Sequence, residues 1–205
     1  MKHCIFGIFF TLFLSYSLSA QKFNGGIMAG MTASQVDGDT YGGYHKAGFL
    51  AGAFVNRKIN DNFSWQLEMK FIQKGSHHAP DSIDFNDRDY RLHFNYAEVP
   101  LSLNYHYKKK FIINLGVSMG YLINYKEESD GYRLYEEGNR YFYSYELSYN
   151  FGITYKLTKK LLFNLSHSYS IIPIRKQAVG SIYKFKRGQF NNLLAFTFYY
   201  QFNNE

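Results

Sequence analysis

From Tyr141 to Leu157 the sequence reads YFYSYELSYNFGITYKL, and every second residue of this stretch is aromatic or a large aliphatic. The residues between them are mainly small or polar. Strict alternation is typical of a β-strand whose two faces meet different surroundings. Strands of soluble proteins usually run for about five or six residues. A strand this long with one apolar face therefore predicts a membrane crossing.

Seven other segments show alternation or an apolar, strand-like composition, which gives eight predicted strands in all. The third of them alternates most regularly, with Phe63, Trp65 and Leu67 on one face and Ser64 and Gln66 on the other. The predicted strands are 23–34, 47–59, 63–73, 94–107, 111–125, 141–157, 161–172 and 189–202.

The connections between these segments are alternately long and short along the chain. The short ones are 60–62, 108–110 and 158–160, and the long, polar ones are 35–46, 74–93, 125–140 and 173–189. Bacterial outer-membrane barrels have short periplasmic turns and longer external loops. The sequence therefore predicts an all-β fold, an eight-stranded antiparallel up-and-down transmembrane β-barrel with short periplasmic turns and long extracellular loops.

Tyrosines are concentrated near the ends of the predicted strands. Fifteen residues reach about 50 Å at about 3.3 Å each and, tilted by about 40°, cover nearly 40 Å of membrane thickness. Tyrosine suits the boundary between lipid and water, because its ring is apolar and its hydroxyl is polar. We expect an aromatic girdle on the periplasmic side from Tyr105, Tyr107 and Tyr155. Its counterpart on the outer side is expected from Tyr141, Tyr143 and Tyr145.

The first twenty residues have the order of a cleaved secretory signal. Lys2 precedes an apolar block from Ile5 to Leu14, and small residues follow up to Ala20. Residues 1–20 are predicted to be removed, which leaves a barrel domain over 21–205 in the bacterial outer membrane. Cys4, the only cysteine, leaves with the signal, so we expect no disulfide.

The formal net charge of +7 could indicate a nucleic-acid partner, but two observations argue against one. The protein is expected to be exported, and its Lys and Arg residues are dispersed and often lie in turns. Solvated turns and anchors at the membrane interface explain them.

Charged residues fall on the faces that are predicted to point into the barrel: Glu68, Lys70, Glu98, Glu146 and Lys156. An eight-stranded barrel is barely wide enough for its own side chains, so such charges must pair internally or with trapped water. We interpret them as a structural plug. The alternative is a proton or ion path, or a binding site.

Pro100 falls inside the fourth predicted strand. Proline cannot donate a backbone hydrogen bond, and a closed barrel has no free edge where that loss would be harmless. We therefore expect a bulge or a local gap at this position.

Two groups of residues are of the types found in metal sites or in hydrolase active sites. His77 and His78 are adjacent, but no further ligands stand at metal-site spacing. Ser166, His167 and Ser168 contain hydrolase residue types without a nucleophile motif around them. We therefore predict no catalytic, metal or cofactor site.

The segment NYAEVPLSLNY (Asn95–Tyr105) resembles the Asn-Tyr-x-Glu-Ile-Pro-Leu-x-x-x-Tyr segment of small Bacteroidetes outer-membrane barrels, the PorT-like proteins. LEMKFIQKG (Leu67–Gly75) is similar to the Glu-Leu-x-Tyr-x-Gln-Lys-Gly of that family, with Phe71 in place of Tyr. LGVSMGYLI (Leu115–Ile123) is similar to a further strand of the family, without its Pro. The resemblance implies an eight-stranded outer-membrane barrel. One member of the family is tied to protease secretion across the outer membrane.

We therefore expect a non-enzymatic integral outer-membrane protein that serves interaction, envelope support or protein secretion through its outer loops. The aromatic-rich segment Gly131–Tyr143 is one place for such recognition. The expected partners are outer-membrane lipid, the barrel-insertion machinery and a protein at the external loops. Outer-membrane proteins commonly finish on an aromatic residue that the insertion machinery recognises. Here Phe202 is followed by Asn203, Asn204 and Glu205, so the carboxyl terminus fits this pattern less well, and we treat the extra residues as a frayed tail. The alternative is a barrel that transports or binds a small solute.

Overall fold

The chain is organised as consecutive antiparallel strands. The computed structural model describes residues 23–39, 41–80, 88–134, 141–175 and 188–203, so the predicted signal peptide lies outside the described residues. Within these ranges no helix is long and apolar enough to pass through a lipid bilayer. The strands are β1 (Asn24–Asp37), β2 (Lys46–Lys58), β3 (Phe63–His78), β4 (Tyr90–Tyr107), β5 (Phe111–Ser129), β6 (Tyr132–Arg133), β7 (Tyr145–Lys156), β8 (Leu161–Ser170) and β9 (Phe190–Gln201).

Eight of the nine described strands close into a barrel. Their order around it is β4–β3–β2–β1–β9–β8–β7–β5, and β5 pairs with β4 to complete the circle. The remaining strand, β6, has two residues and forms a hairpin with the end of β5, where Ser129 pairs with Tyr132. The prediction of a closed, eight-stranded antiparallel up-and-down barrel is confirmed.

The three short connections lie at the same end of the barrel, which we call the turn end. They join β2 to β3, β4 to β5 and β7 to β8. The opposite end, which we call the external end, carries the four long connections. Each of these has a part that lies outside the described ranges: residue 40 and residues 81–87, 135–140 and 176–187.

Strand lengths differ from the prediction at the external end. β3, β4 and β5 extend several residues beyond the predicted bounds of 73, 94 and 125, because their ends go on pairing with one another. β7 is shorter than predicted and begins at Tyr145 rather than Tyr141. Its pairing with β5 stops where Tyr121 faces Tyr145. Just beyond that point the β4–β5 register shifts between Asn95 and Tyr96. From there to its end β5 stays paired with β4 but no longer with β7.

The outward face of the barrel is apolar over a continuous band. On β5 every second residue from Phe111 to Ile123 is a large, exposed hydrophobic side chain. Val99, Leu101 and Leu103 are exposed in the same way on β4. Such a surface would be unstable in water and matches a lipid environment. The large apolar side chains thus point outward at alternate positions, as predicted.

The apolar face of β4 changes sides near the external end. From Ala97 to Tyr107 the apolar side chains point outward, whereas from Tyr90 to Tyr96 they point inward. There the outward positions are the polar Arg91, His93 and Asn95. Ten steps of about 3.3 Å along a strand tilted by about 40° give about 25 Å, the height of an outer-membrane apolar band. The external part of β4 therefore extends beyond the lipid into water.

The predicted local gap at Pro100 is present. The β3–β4 pairing is interrupted between Leu67↔Leu101 and Lys70↔Glu98, although the register is the same on both sides of the interruption. On the other side of β4, Pro100 pairs regularly with Ser118. The missing donor is thus accommodated by a gap towards β3, without a bulge.

Candidate functional site

A buried charge cluster occupies the middle of the barrel. Lys74 on β3 lies between Glu98 on β4 and Glu146 on β7, and the side chains of all three are at most 2% exposed. The Lys74 Nζ is 3.1 Å from Glu146 Oε2 and 3.5 Å from Glu98 Oε2. It also lies 5.2 Å from the centroid of the Tyr96 ring. This lysine therefore joins β3 and β4 to β7 across the interior of the barrel.

Small polar side chains donate hydrogen bonds to both carboxylates. Ser118 donates to Glu98 Oε1 at 2.5 Å. Ser170 and Asn191 donate to the two oxygens of Glu146 at 2.7 and 3.0 Å. A buried charge is tolerated only when it is paired and hydrogen-bonded, and these contacts satisfy that condition.

A third interior carboxylate, Glu68, lies nearer the turn end. Glu68 Oε1 accepts hydrogen bonds from Gln66 at 2.7 Å and from the Tyr199 hydroxyl at 2.8 Å. Its other oxygen is 3.6 Å from Lys70 Nζ. Lys156 lines a cavity at the turn end. The five predicted interior residues thus fall into three groups. Glu98 and Glu146 share the charge cluster, where Lys74 links them, Glu68 pairs with Lys70, and Lys156 lines the cavity.

Lys74 is the interior residue that sequence reasoning missed. The sequence places Lys74 in the connection 74–93, because the outward face of β3 becomes polar at Gln73. In the structure β3 continues to His78, and Lys74 lies on its inward face. From Gln73 to His78 both faces carry polar residues or glycine, so hydrophobic alternation gives no signal that would identify Lys74.

The external end is closed by a cluster that we call the external cap: Tyr41, Tyr90, Phe94, Phe142, Ile174 and Arg175, with Glu127. The Phe142 ring packs against Phe94 at 4.7 Å between centroids, and Ile174 is fully buried. Arg175 binds Glu127 through two hydrogen bonds of 2.8 and 3.0 Å and lies 4.1 Å above the Phe142 ring.

Two further contacts fasten the cap. The Tyr90 hydroxyl donates to Glu127 at 2.7 Å, and Tyr41 stacks on Tyr90 at 5.1 Å. Asp39 lies next to this stack and accepts a hydrogen bond from the Tyr41 backbone N–H at 2.9 Å. Burial raises the pKa of Asp39 to about 6, although its hydrogen bond with Ser76 opposes the shift. The cap is therefore a folded structure above the apolar band.

The predicted tyrosines lie at two levels of the outer surface. Near the turn end, Tyr105 packs against Phe63 at 5.2 Å and Tyr155 against Phe111 at 5.1 Å. Tyr107 is exposed at the end of β4. At the other level, Tyr145 packs against Tyr121 at 5.5 Å. Tyr141 and Tyr143 are also exposed, but they precede β7 and so lie outside any described strand.

The candidate chemical residues are not brought together. Ser166 and Ser168 lie on the inward face of β8, whereas His167 lies on the outward face and contacts Asn192 Oδ1 at 2.9 Å. His78 stacks on Tyr41, and His77 Nε2 is 3.6 Å from Asp89. Among the residues that the structure describes, no three His, Cys, Asp or Glu side chains converge as metal ligands would.

A cavity of about 480 Å³ lies at the turn end. Its inner part is polar: Asn164 donates to Asn114 and Thr154, and Asn114 donates to Asn104, at 2.8 to 3.0 Å. Phe54 and Tyr199 close part of its floor, with ring centroids 5.1 Å apart. Lysines surround its mouth. The interior thus has three levels, the external cap, the charge cluster and this turn-end cavity.

Known structures share this architecture. Ail, the attachment invasion locus protein of Yersinia pestis, is 16% identical in sequence and superposes with a TM-score of 0.52, over 88% of this chain and 99% of Ail. Neisserial surface protein A is 12% identical with a TM-score of 0.51, over 88% of this chain and 97% of that protein. At such identities the likeness shows the fold alone. No curated protein sequence matches the chain.

The sequence model of one family, described as the outer membrane protein beta-barrel domain, matches residues 18–176. The match covers most of the described strands, and the apolar band and closed barrel agree with it. The chain therefore belongs to the outer membrane protein beta-barrel domain family.

Proposed function

We propose that this outer-membrane barrel is a sealed, non-enzymatic protein that recognises a protein partner through its external end. Its role would be in interaction, envelope support or as an accessory of protein secretion. The observation that carries this proposal is the external cap, which is folded and stands above the lipid band. A rigid surface loses little entropy when a partner binds it, which favours affinity.

Exposed aromatic and apolar side chains project beside the cap. Tyr132 at the tip of the β5–β6 hairpin is 79% exposed, and Leu134 and Tyr141 are exposed nearby. Tyrosine and arginine are frequent in the parts of interfaces that contribute most binding energy, and Arg133 follows Tyr132 in the same hairpin. This edge, 132–134 with Tyr141, is the surface we assign to the partner.

The resemblance to PorT-like proteins of Bacteroidetes supports the role in secretion. Removal of residues 1–20 by a signal peptidase and delivery by the insertion machinery are part of the same proposal. Lipid would contact the apolar band, with Tyr105, Tyr107 and Tyr155 at its periplasmic boundary and Tyr145 at its outer one. Tyr141 and Tyr143 would then lie above the lipid rather than in the girdle.

Photocrosslinking in intact cells tests the proposed surface. A photoreactive amino acid at position 132 or 141 should give a discrete protein adduct. The same group at position 159, in a turn at the opposite end, should not give that adduct. Tyr132→Ala combined with Tyr141→Ala should reduce the yield from a third external position, 134. Equal adducts from 159 and 132, or none from 132, 134 and 141, would contradict the proposal.

A barrel that passes or holds a small solute is the alternative, and the turn-end cavity favours the holding of a solute. Passage is disfavoured, since buried Lys74, Glu98 and Tyr96 lie between the cavity and the external end. In planar bilayers we therefore expect no single-channel conductance from the purified barrel. Reproducible unitary currents that Lys74→Met changes in size would support passage instead.

A further inference from the structure

Two polar side chains lie on the outward face of the barrel at a depth where lipid surrounds it. His167 on β8 and Asn192 on β9 share a hydrogen bond of 2.9 Å. They are six and eight residues along their strands from Leu161 and Tyr200, which pair at the turn end. At about 2.5 Å per residue along the membrane normal, this places them about 15 and 20 Å into an apolar band about 25 Å high. Polar groups are costly on a lipid-facing wall, so their presence there indicates a function.

The loop between β1 and β2 is folded down onto this pair. The Gly43 backbone N–H donates to Gln35 Oε1 on β1 at 2.8 Å, and the Tyr44 hydroxyl donates to Asn192 Oδ1 at 2.7 Å. We call His167, Asn192 and Tyr44 the polar notch. Elements distant in sequence hold these side chains in place, so the notch is ordered before anything binds to it.

The hydrogen bonds determine which polar atoms the notch still offers. Asn192 Oδ1 can only accept, so His167 Nε2 carries the proton of their shared bond, and in the neutral ring Nδ1 is an acceptor. Asn192 Nδ2 is a donor. Neither Nδ1 nor Nδ2 has a hydrogen-bond partner among the residues that the structure describes. One acceptor and one donor on adjacent strands are therefore presented to the lipid.

This pair of atoms distinguishes between kinds of lipid. The ester carbonyls of an ordinary diacyl phospholipid can accept from Asn192 but have no proton to donate to His167. A secondary amide has both groups, but its trans geometry directs the N–H and the C=O to opposite sides. A 3-hydroxyacyl chain carries a hydroxyl close to its carbonyl and can turn both towards one wall. Since short turns face the periplasm in outer-membrane barrels, the notch lies in the outer half of the bilayer, at the depth of the first carbons of such a chain.

The surface around the polar notch suits an acyl chain. On its turn-end side, Leu165 on β8 and its partner Phe196 on β9 are exposed. On the β7 side, Tyr149 stacks on Tyr169 with 6.0 Å between ring centroids and lies 6.1 Å from the His167 ring. A chain held at the notch would thus run over Leu165 towards the middle of the bilayer.

We propose that the polar notch binds an outer-leaflet lipid through a 3-hydroxyacyl chain. The hydroxyl of the chain donates to His167 Nδ1, and its carbonyl accepts from Asn192 Nδ2. The site lies on the lipid-facing wall, so it depends neither on a partner at the external end nor on a solute in the turn-end cavity. A second copy of the chain docked on the same face is the competing occupant, and the experiment distinguishes the two.

Photocrosslinking in lipid nanodiscs tests the site. The discs contain a phosphatidylcholine with one myristoyl chain and, as a minor fraction, the same lipid with 3-hydroxymyristoyl in its place. Mass spectrometry separates their adducts with a photoreactive amino acid at position 165, because the two lipids differ by one oxygen. We expect the hydroxylated lipid to be enriched at least threefold over its share of the bilayer. Position 115 on β5, where Leu115 is exposed, lies as far from the start of its strand and should sample both lipids at their bulk shares.

His167→Phe with Asn192→Leu should bring the ratio at position 165 down to the bulk share. Both replacements are apolar on a lipid-facing wall, so the barrel should still fold, which far-ultraviolet circular dichroism checks. The matched control, His93→Phe with Asn95→Leu, removes the same two residue types from the outward face of β4 and should leave the enrichment unchanged.

Equal enrichment at positions 115 and 165, or none at 165, would overturn the proposal. Enrichment that survives His167→Phe with Asn192→Leu would overturn it as well. A crosslink between two copies of the chain as the main product at position 165 would assign this face to self-association instead.

Discussion

Removal of the Lys74 ammonium should destabilise the barrel more than any exposed ion pair would suggest. At an effective dielectric constant of about 20, charges separated by 3.1 and 3.5 Å attract each other by about 5 kcal/mol each. The desolvation of three buried charges opposes this attraction. Lys74→Met abolishes both attractions, but Glu98 and Glu146 stay buried. Breaking a buried pair in this way costs about 3–5 kcal/mol, and we expect a loss in that range.

Trp65, the only tryptophan, reports the unfolding. It lies on the outward face of β3, so its fluorescence should shift to longer wavelength when the strand leaves detergent or lipid. Urea titration of the refolded barrel followed at this residue gives the free energy of unfolding. The variant should reach its midpoint at a clearly lower urea concentration than the unmodified chain.

Lys126→Met is the matched control. Its Nζ is 2.6 Å from Glu128, closer than any contact of Lys74, but its side chain is 56% exposed. We expect a change of at most about 1 kcal/mol there, because water screens an exposed pair. Adding Glu146→Gln to Lys74→Met should recover part of the loss. A loss below 1 kcal/mol for Lys74→Met, or one equal to that of Lys126→Met, would refute the reasoning.

Three further predictions concern the external end. The pKa of Asp39 is raised from 3.8 to about 6 by burial, so its contribution of up to about 3 kcal/mol is present below pH 4 and lost as pH rises through 6. Hydrogen exchange at residues 38–45, corrected for intrinsic rates, should therefore accelerate between pH 4 and 7, and Asp39→Asn should remove that dependence. Gly75→Ala should cost more than 2 kcal/mol in the urea assay, since φ is +143° and a Cβ would overlap the Leu92 carbonyl oxygen; Gly42→Ala, with open space around it, should cost under about 0.5 kcal/mol. Arg175→Lys should speed proteolysis of the external cap in intact cells several-fold, because lysine cannot reproduce the two hydrogen bonds to Glu127, and protection equal to that of the unmodified chain would contradict this.

The barrel itself was predictable because lipid imposes a period of two on each strand. Odd positions from Phe111 to Ile123 and from Val99 to Tyr107 must be apolar wherever they face hydrocarbon, and this pattern is visible in the sequence. Eight such segments with alternating connection lengths allow few other folds. The gap at Pro100 was predictable for the same reason, because its chemistry is local.

The external cap could not be predicted from alternation. Phe142 lies in a segment rich in tyrosines before β7, and its buried position depends on its contacts with Phe94 on β4 and Tyr125 on β5. The prediction that Lys74 lies in a loop is wrong because the end of β3 is predicted where its outward face stops being apolar. Above the lipid that face becomes polar, although the strand continues. The contacts that build the cap and the charge cluster link residues distant in sequence, and no local pattern records them.

The composition of the external cap has a consequence for biogenesis. Its parts come from the loop after β1, from β4 and β5, from the segment before β7 and from the segment after β8. The last of these is joined to the residue before β9, because the Gln189 backbone N–H donates to the Arg175 carbonyl at 2.9 Å. A chain still held by periplasmic chaperones has not joined its first strand to its last, so it cannot display that surface. An antibody raised against the intact cap would consequently stain only molecules whose assembly is complete, and would separate them from the pool still in transit.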